Sequence, residues 1–454
     1  MKKLFYLFFL LLVASCSDDI IETSGLDIAP DSYRGQPRSH KVTEQQAINT
    51  IMAHFAMIQN DALSRGESTT SPEVQDVRVL RSIDLGIDSI RCRDLYETVD
   101  TMYKRFSDKD KVFLDTLFYI VNFEEKKGCA ILAADDRTEP IYAIIDEGNI
   151  KPNELFQDKN LGFLSVIDTS IGLLLHDVVS YEPSKKLDRI DITPDPSFPQ
   201  TELTVEKADP ILKTKWGQSE PYNYRCPGPH TGCVITATAQ IMSYYQTFDY
   251  FVHTQHGDLR HITLDWTQIM TDCSQDGRFK GSKPQNRSGE NIAWFMAYLG
   301  HKMDAEYKTN ETSAKSSKAI EWLNTYGNLN ASTLKDYNFN NIKEALDNGN
   351  LAYANGYKKK NTFLGITTGY SGGHAWVYDG YLTMKMKYIG VEIDYSKYLH
   401  CNWGWNGSKN GYYLSKVFNT SNAYIEDEPD DYNEGRHYKY KLQYSIVSNP
   451  NVNQ

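Results

Sequence analysis

The stretch from Thr231 to Met242 has the sequence TGCVITATAQIM and places one cysteine, Cys233, where a tight turn becomes a helix. Gly232 gives the backbone freedom to turn and leaves space beside the sulfur. Small and apolar residues recur at helical spacing from Val234 onward, which predicts a helix with one buried face. A thiol at that N-terminus lies near unpaired N–H groups and the positive dipole end, which favour the thiolate. A lone cysteine is more often a small buried core residue, so a catalytic role depends on whether the rest of the chain supplies a base and an oxyanion site.

A nucleophilic cysteine needs a base, and one histidine has a distinctive setting. His374 follows Gly372 and Gly373 and begins a strand-like alternation, so its side chain is placed to face a cleft. Its distance along the chain from Cys233 suits papain-like pairs of cysteine and histidine. The two glycines allow close approach of another backbone, and we expect them to bind substrate. Taken singly, His374 is also compatible with a structural role.

The base also needs an orienting group, and the oxyanion needs donors. Asn402 can accept a hydrogen bond from the imidazole N–H, while Trp403 shields that bond from water. A turn rich in tryptophan that packs the end of a barrel explains this motif equally well. Gln218 lies shortly before Cys233, and its amide can point N–H groups at an oxyanion. The order Gln, Cys, His, Asn therefore predicts a thiol-dependent catalytic site.

The first residues predict export. A positive start and a short apolar run are followed by Ala14, Ser15 and Cys16, so residues 1–15 form a signal peptide. The position of Cys16 resembles a bacterial lipobox, which implies lipid attachment there and residues 16–40 as a tether. We expect an outer-membrane or cell-surface lipoprotein that is released after processing. The alternative is an ordinary secretory signal with an incidental cysteine.

The composition limits which partners and cofactors we expect. The chain has 454 residues and a formal net charge of −11, which argues against nucleic acid, and we expect contact with a membrane only through the lipid anchor. The seven cysteines show no CxxC pairing and no histidine at metal-ligand spacing, so we expect no metal and no cofactor. Cys226 is a candidate for pairing with Cys273 or for modulating Cys233 by disulfide exchange.

Patterns along the chain predict an α+β protein in two parts. A capping box at Thr43 opens a helix, and residues 117–145 alternate as a strand meander before a second helix over 161–178. This unit, residues 41–180, looks self-contained. Residues 181–204 are rich in proline and polar residues and predict an exposed, cleavable linker. Residues 205–454 form the second domain.

The second domain resembles the streptopain family of bacterial cysteine peptidases, which have the papain fold. The motifs that carry the resemblance are Trp216-Gly217-Gln218, Thr231-Gly232-Cys233-Val234, Ala239-Gln240-Ile241-Met242, Gly372-Gly373-His374-Ala375 and Asn402-Trp403-Gly404-Trp405. The resemblance implies a papain-like domain with a helical part and an antiparallel β part. It also implies Cys233 as nucleophile, His374 as general base and acid, and Gln218 as oxyanion donor, with Asn402 and Trp403 supporting His374.

The N-terminal unit resembles the propeptide of the same family through its strands at 120–123 and 133–137. This implies an antiparallel sheet with helices that keeps the enzyme latent as an intramolecular inhibitor. The predicted function is thus a cysteine endopeptidase made as a zymogen and acting on proteins or peptides. Two alternatives remain from the sequence: a papain-like acyltransferase or transglutaminase, and a non-catalytic surface-binding lipoprotein.

Overall fold

The computed structural model of the protein describes most of the chain from His40 onward. The described residues are 40–66, 70–81, 116–155, 160–179, 181, 201–255, 257–273, 275–309, 311–357, 359–363, 366–371, 373–388, 391–418 and 440–451. They form one compact unit. The predicted signal peptide, Cys16, most of the tether and most of the linker lie outside the described residues.

The N-terminal region contains both predicted helices and the predicted meander. Its helices are α1 (Glu44–Ser64), α2 (Pro152–Leu155) and α3 (Leu161–Val179), and its strands are β1 (Val74–Arg81), β2 (Thr116–Phe123), β3 (Cys129–Ala133) and β4 (Ile141–Ile145). Thr43 caps α1 with the predicted capping box, since its side chain accepts from Gln46 N–H and Gln46 bonds back to Thr43 N–H. Local sequence therefore fixes this helix start.

The remaining described chain alternates helices with long strands. Its helices are α4 (Cys233–Tyr245), α5 (Trp266–Cys273), α6 (Arg287–Lys302), α7 (Ser316–Thr325) and α8 (Phe339–Asp347). Its strands are β5 (Thr201–Ala208), β6 (Tyr250–Gln255), β7 (Asp258–Thr263), β8 (Glu306–Tyr307), β9 (Thr312–Ser313), β10 (Asn330–Ala331), β11 (Lys335–Asp336), β12 (Leu351–Tyr357), β13 (Lys359–Phe363), β14 (Ile366–Ser371), β15 (His374–Tyr388), β16 (Val391–Asn402), β17 (Gly411–Leu414) and β18 (Tyr440–Ser448). The mixture of helices and antiparallel strands confirms the predicted α+β class.

One antiparallel sheet runs through both parts of the chain. Its order is β1-β2-β3-β4-β17-β16-β15-β12-β18-β10, with β5 paired to β15 and β11 to β18. The join is the pair β4 and β17, in which Tyr412 lies opposite Ile144. Each of these strands would otherwise leave a row of unpaired backbone groups at a sheet edge. The N-terminal unit is thus an extension of the second domain's sheet.

Two hydrophobic cores follow from this arrangement. The larger one joins the N-terminal strands and α3 to the inner faces of β15, β16 and β17. The smaller one packs α4, α6 and α7 against the start of β12 and β15. Strand β5 pairs with β15 from Thr201 to Ala208, so it crosses the predicted boundary between linker and domain at 204 and 205. The predicted catalytic residues lie where the helical core meets the sheet.

Candidate active site

Cys233 is the first residue of α4, as the opening motif predicts. Gly232 precedes it with a φ of 97°, a left-handed conformation that glycine adopts without strain. A Cβ added to Gly232 would lie 3.1 Å from Thr312 Cγ2, so a side chain there would crowd the neighbouring hairpin. No side chain caps this helix. The first N–H groups of α4 are consequently available beside the sulfur.

The Cys233 thiol faces the first residues of β15. Burial raises the pKa of this thiol, and hydrogen bonds from the backbone N–H groups of Ala375, Val234 and Cys233 partly oppose the rise. Part of the residue's surface nevertheless stays accessible. The N–H groups of Cys233 and Val234 are donors that a helix N-terminus is expected to supply to a thiolate, and that of Ala375 comes from β15. With its pKa raised, the thiol is protonated at neutral pH in this arrangement.

His374 begins β15 and is buried. Its Nε2 lies 3.1 Å from the carbonyl oxygen of Trp403 and therefore donates to it. Its ring stacks on Trp376 at 6.1 Å between centroids and lies 6.2 Å from the Trp403 ring. The structure thus brings together His374 and Trp403, through a backbone carbonyl and the indole ring.

The start of α3 covers this histidine. A Cβ added to Gly162 would lie 2.3 Å from Trp403 Cε3 and 2.9 Å from His374 Cδ2. Asn160 caps the helix, with its side chain accepting from Phe163 N–H at 3.0 Å, and it donates to Ser408 O at 3.3 Å. The N-terminal region therefore packs directly against the predicted base, and only a glycine fits at the point of contact.

Asn402 is buried and has other partners. Its Oδ1 accepts from Gln240 Nε2 at 3.1 Å, and its Nδ2 donates to Thr214 O at 2.8 Å. The backbone N–H of Gly404 also points at Oδ1, at 3.4 Å. The hydrogen bond predicted between Asn402 and His374 stays a prediction for a form in which α3 has left the site.

Gln218 has the property that an oxyanion donor needs. Its Nε2 is buried and has no hydrogen-bond partner among the residues that the structure describes. Its backbone carbonyl accepts from Thr231 N–H at 2.8 Å, which ties this loop to the turn before Cys233. An unpaired buried N–H is costly unless a ligand uses it. The amide is available for a charge that develops near Cys233.

Of the two predicted substrate-binding glycines, Gly373 is described and exposed, and Gly372 lies outside the described residues. A Cβ on Gly373 would lie 2.9 Å from the Tyr357 ring. Tyr357 and Tyr353 are near enough to Cys233 for a thiolate there to raise both tyrosine pKa values, although burial is the larger cause. Sequence reasoning missed this pair of tyrosines, because their alternation along β12 has no feature that separates them from core residues.

Sequence reasoning also gave no role of its own to one buried glutamine, Gln240. Gln240 lies on α4 within the quoted motif, and its amide contacts Asn402 and the backbone of Trp216. A glutamine between alanine and isoleucine on a buried helix was the available signal, because such a group must find polar partners inside.

The other described cysteines and the acidic residues form neither a disulfide nor a metal site within the described ranges. Cys226 and Cys273 are both free, so the candidate pairing is wrong in this structure. Burial raises the pKa of Cys226 to about 12 and that of Cys273 to about 11. Within the described ranges, no group of histidine, cysteine and carboxylate side chains is placed to hold a metal ion. The same ranges contain no helix with the length and apolar character to cross a bilayer.

A thiol at a helix N-terminus, a buried amide without a partner among the described residues and a strand that opens with histidine are features that cysteine peptidases use. Comparison with known proteins gives a more specific result. Residues 216–413 match the model of the Peptidase C10 family. The predicted resemblance to streptopain-like cysteine peptidases is confirmed.

Two curated relatives are similar to this chain. The chain is 24% identical over 333 residues to the thiol protease/hemagglutinin PrtT of Porphyromonas gingivalis, covering 67% of this chain and 34% of PrtT. It is 24% identical over 266 residues to streptopain of Streptococcus pyogenes, covering 48% of this chain and 59% of streptopain. The chain therefore spans between a third and three fifths of these relatives.

Among solved structures, the chain is similar to a fragment of prointerpain A from Prevotella intermedia that carries a cysteine-to-alanine mutation. The identity is 20%, the match covers 74% of this chain and 96% of the fragment, and the TM-score is 0.46.

Proposed function

We propose that this chain is a cysteine endopeptidase made in a latent form, with Cys233 as nucleophile and His374 as general base and acid. The observation that carries the proposal is the contact of α3 with the predicted base. Gly162 lies against the His374 ring while His374 Nε2 is engaged with the Trp403 carbonyl. The N-terminal region acts as an intramolecular inhibitor by holding this contact.

The state of the thiol supports latency. The groups that lower the Cys233 pKa among the described residues are backbone N–H groups, and burial outweighs them. A nearby imidazolium is the usual means of bringing such a pKa below neutrality. Release of α3 frees His374 to turn toward Cys233 and form that ion pair. Asn402 and Trp403 then support the ring.

The proposed reaction is acyl transfer to sulfur and then to water. The Cys233 thiolate attacks a peptide carbonyl carbon, so that a C–S bond forms and the oxygen takes the electron pair of the C=O bond. Gln218 Nε2 and the Cys233 N–H hold this oxyanion. Collapse breaks the C–N bond, and His374 gives its proton to the leaving amine. Water then attacks the thioester, His374 takes its proton, and the C–S bond breaks.

The location of the enzyme belongs to the same proposal. Export through the signal peptide and lipid attachment at Cys16 would place the zymogen at the cell surface, and cutting within 181–204 would release the peptidase domain. Pairing of β5 with β15 along its whole length favours a cut before Thr201, because the strand then stays with the enzyme. Labelling with a fatty acid analogue tests the anchor, and Cys16→Ala should lose the label.

The test of the function is incubation of the purified full-length chain. We expect new N-termini between residues 181 and 201, together with hydrolysis of a denatured protein substrate. The control is Cys233→Ala, which should stay intact alone and be cut when processed wild-type protein is added. Hydrolysis by Cys233→Ala equal to the wild type would overturn the proposal.

A further inference from the structure

Gln240 is a polar side chain inside the helix that carries Cys233. It is fully buried, two helical turns after the cysteine. Its Oε1 accepts from the backbone N–H of Trp216 at 2.9 Å, and its Nε2 donates to Asn402 Oδ1 at 3.1 Å. One amide therefore joins the nucleophile helix, the loop that leads to Gln218 and the end of β16.

We propose that Gln240 is a positioning residue that holds Gln218 at the oxyanion site beside Cys233. This inference rests on the proposed peptidase function. Gln218 Nε2 is unpartnered among the described residues, so its position depends on the backbone that carries it. That backbone is fixed from both sides: Gln240 holds the Trp216 N–H, and Thr231 donates to Gln218 O at 2.8 Å.

Both hydrogen bonds connect the loop of Gln218 to α4, the helix that carries Cys233. Gln240 lies on α4 itself, and Thr231 lies in the turn that enters it. The distance between the Gln218 amide and the Cys233 N–H is thus set through one rigid element. Oxyanion donors act only at hydrogen-bond distance from the charge, and a shift of about 1 Å can cost about 100-fold in rate.

Asn402 sets which way the Gln240 amide points. Asn402 Nδ2 donates to Thr214 O at 2.8 Å, so its Oδ1 faces Gln240 and accepts from Nε2. In the flipped orientation, Gln240 would oppose oxygen to oxygen at Asn402 and donor to donor at Trp216. Only the observed orientation presents Oε1 to the Trp216 N–H. Asn402, at the end of β16, therefore fixes the orientation of the Gln240 amide.

A purely structural role makes different predictions. If Gln240 only filled the core, its loss would lower stability and disturb binding, thiol reactivity and turnover together. If it acts through Gln218, its loss lowers kcat for amide hydrolysis and leaves KM unchanged. Alkylation of Cys233 by iodoacetamide forms no oxyanion, because attack occurs at a saturated carbon. The alkylation rate and its pH profile should therefore stay as in the wild type.

The first experiment uses full-length Gln240→Met, Gln218→Ala and the double variant, each cut by tagged wild-type protein that is then removed. We expect Gln240→Met to lose about 100-fold in kcat. The double variant should lose no more than Gln218→Ala alone, because residues that act as one unit are not additive. Multiplied losses in the double variant would overturn the inference.

A matched control lies on the same helix. Ser243 is buried, and its Oγ donates to Gln240 O at 2.6 Å and lies 2.8 Å from Thr214 Oγ1. Ser243→Ala removes polar contacts of the same core without touching the Gln240 amide. It should lower the melting temperature and leave kcat unchanged. An equal fall in kcat for Ser243→Ala would show that core stability alone accounts for the effect.

A second variant keeps the inference testable if Gln240→Met does not fold. Gln240→Glu has the same shape, and its protonated carboxyl offers one donor and one acceptor like the amide. Burial raises the pKa of such a carboxyl. The ratio of variant to wild-type kcat should rise as the pH falls, and a flat ratio would contradict the inference. Cys233→Ala remains the separate check, because its activity decides the proposed function whatever Gln240 does.

Discussion

Two buried histidines lie on neighbouring strands and are held in opposite ways. His374 opens β15 and makes its Nε2 contact with a neutral carbonyl, among tryptophan rings and the start of α3. His400, near the end of β16, lies between carboxylates, 2.5 Å from Asp379 Oδ1 and 3.0 Å from Asp146 Oδ2. Asp146 follows β4, so this second histidine joins the N-terminal region to the domain.

The two histidines differ in how readily their hydrogen bonds can be exchanged. A hydrogen bond to a neutral carbonyl contributes about 1 kcal/mol, so the bond between His374 and the Trp403 carbonyl can be exchanged at low cost. The two carboxylates raise the pKa of His400 to about 10 against the effect of burial. His400 is thus a fixed positive charge at the interface. A base that must move and a histidine that must stay should respond differently to substitution and to pH.

The largest effect should come from His374→Asn. This change removes the proton acceptor and donor of the proposed reaction, and we expect a loss of about 10⁴-fold in kcat, or about 5 kcal/mol of barrier. The free energy of unfolding should fall less than for His400→Asn, because the Nε2 bond of His374 is to a neutral carbonyl and not to a buried carboxylate. Self-processing of the full-length chain and hydrolysis after processing in trans measure the first, and urea unfolding measures the second. A variant that still processes itself at the wild-type rate would contradict the assignment.

His400→Asn should reverse that pattern. Removing the charge leaves Asp379 buried without its counter-ion, and breaking a buried ion pair from one side costs about 3–5 kcal/mol. The effect is measured by urea unfolding in a Cys233→Ala background, which prevents self-cutting. After processing in trans, the residual hydrolysis per folded molecule should stay within a few-fold of the wild type when Cys233 is restored.

The control for His400 is His261, an exposed histidine on β7. His261→Asn should change the unfolding free energy by less than about 0.5 kcal/mol. Asp146→Asn should cost less than His400→Asn, because Asp379 still pairs with the histidine. If all three variants are equally stable, then the carboxylates do not hold the interface.

Sequence patterns predicted the features of the fold that depend on neighbouring residues. The capping box at Thr43 and the helix that begins at Cys233 depend on neighbours in sequence, and both are present. The partners of His374 and His400 depend on strand order, which alternation along one strand does not encode. The join of β4 to β17 was missed for the same reason. The alternation along a strand shows which of its faces is buried, but it does not show which other strand pairs with it.

A third buried histidine, His54, should make the free energy of unfolding depend on pH. His54 lies on α1 beside the Tyr398 ring of β16, and burial lowers its pKa to about 4. The unfolded chain binds this proton near pH 6.5, so stability should fall as the pH drops from 6.5 to about 4 and then level off. At about 1.36 kcal/mol per pKa unit, the loss approaches about 3 kcal/mol. His54→Leu should remove this acid dependence in urea unfolding.

His400 should act on the other side of neutrality. Its folded pKa of about 10 lies above the value of 6.5 for an ordinary histidine, so its contribution is complete below pH 6.5 and is lost as the pH rises toward 10. His400→Asn should flatten the alkaline limb and keep the acid one. Identical pH profiles for the His54 and His400 variants would remove the distinction between a neutral and a charged buried histidine.

The smallest effect should come from Gly162→Ala, which tests the contact between α3 and His374. Alanine favours the helix, but its Cβ would lie 2.3 Å from Trp403 Cε3 and 2.9 Å from His374 Cδ2. Overpacking of this kind costs about 1–3 kcal/mol. Because the strain falls on the contact that covers the base, self-processing should be faster, by about tenfold for each 1.4 kcal/mol.

The matched control is Thr169→Ala, a partly exposed position on the same helix away from the site. It should leave the processing rate unchanged, so that a general loosening of α3 is separated from loss of the Gly162 contact. Slower processing by Gly162→Ala would mean that α3 helps to form the active arrangement. In that case His374 is held by α3 in order to work, and it would resemble His400 more closely than its neutral partner indicates.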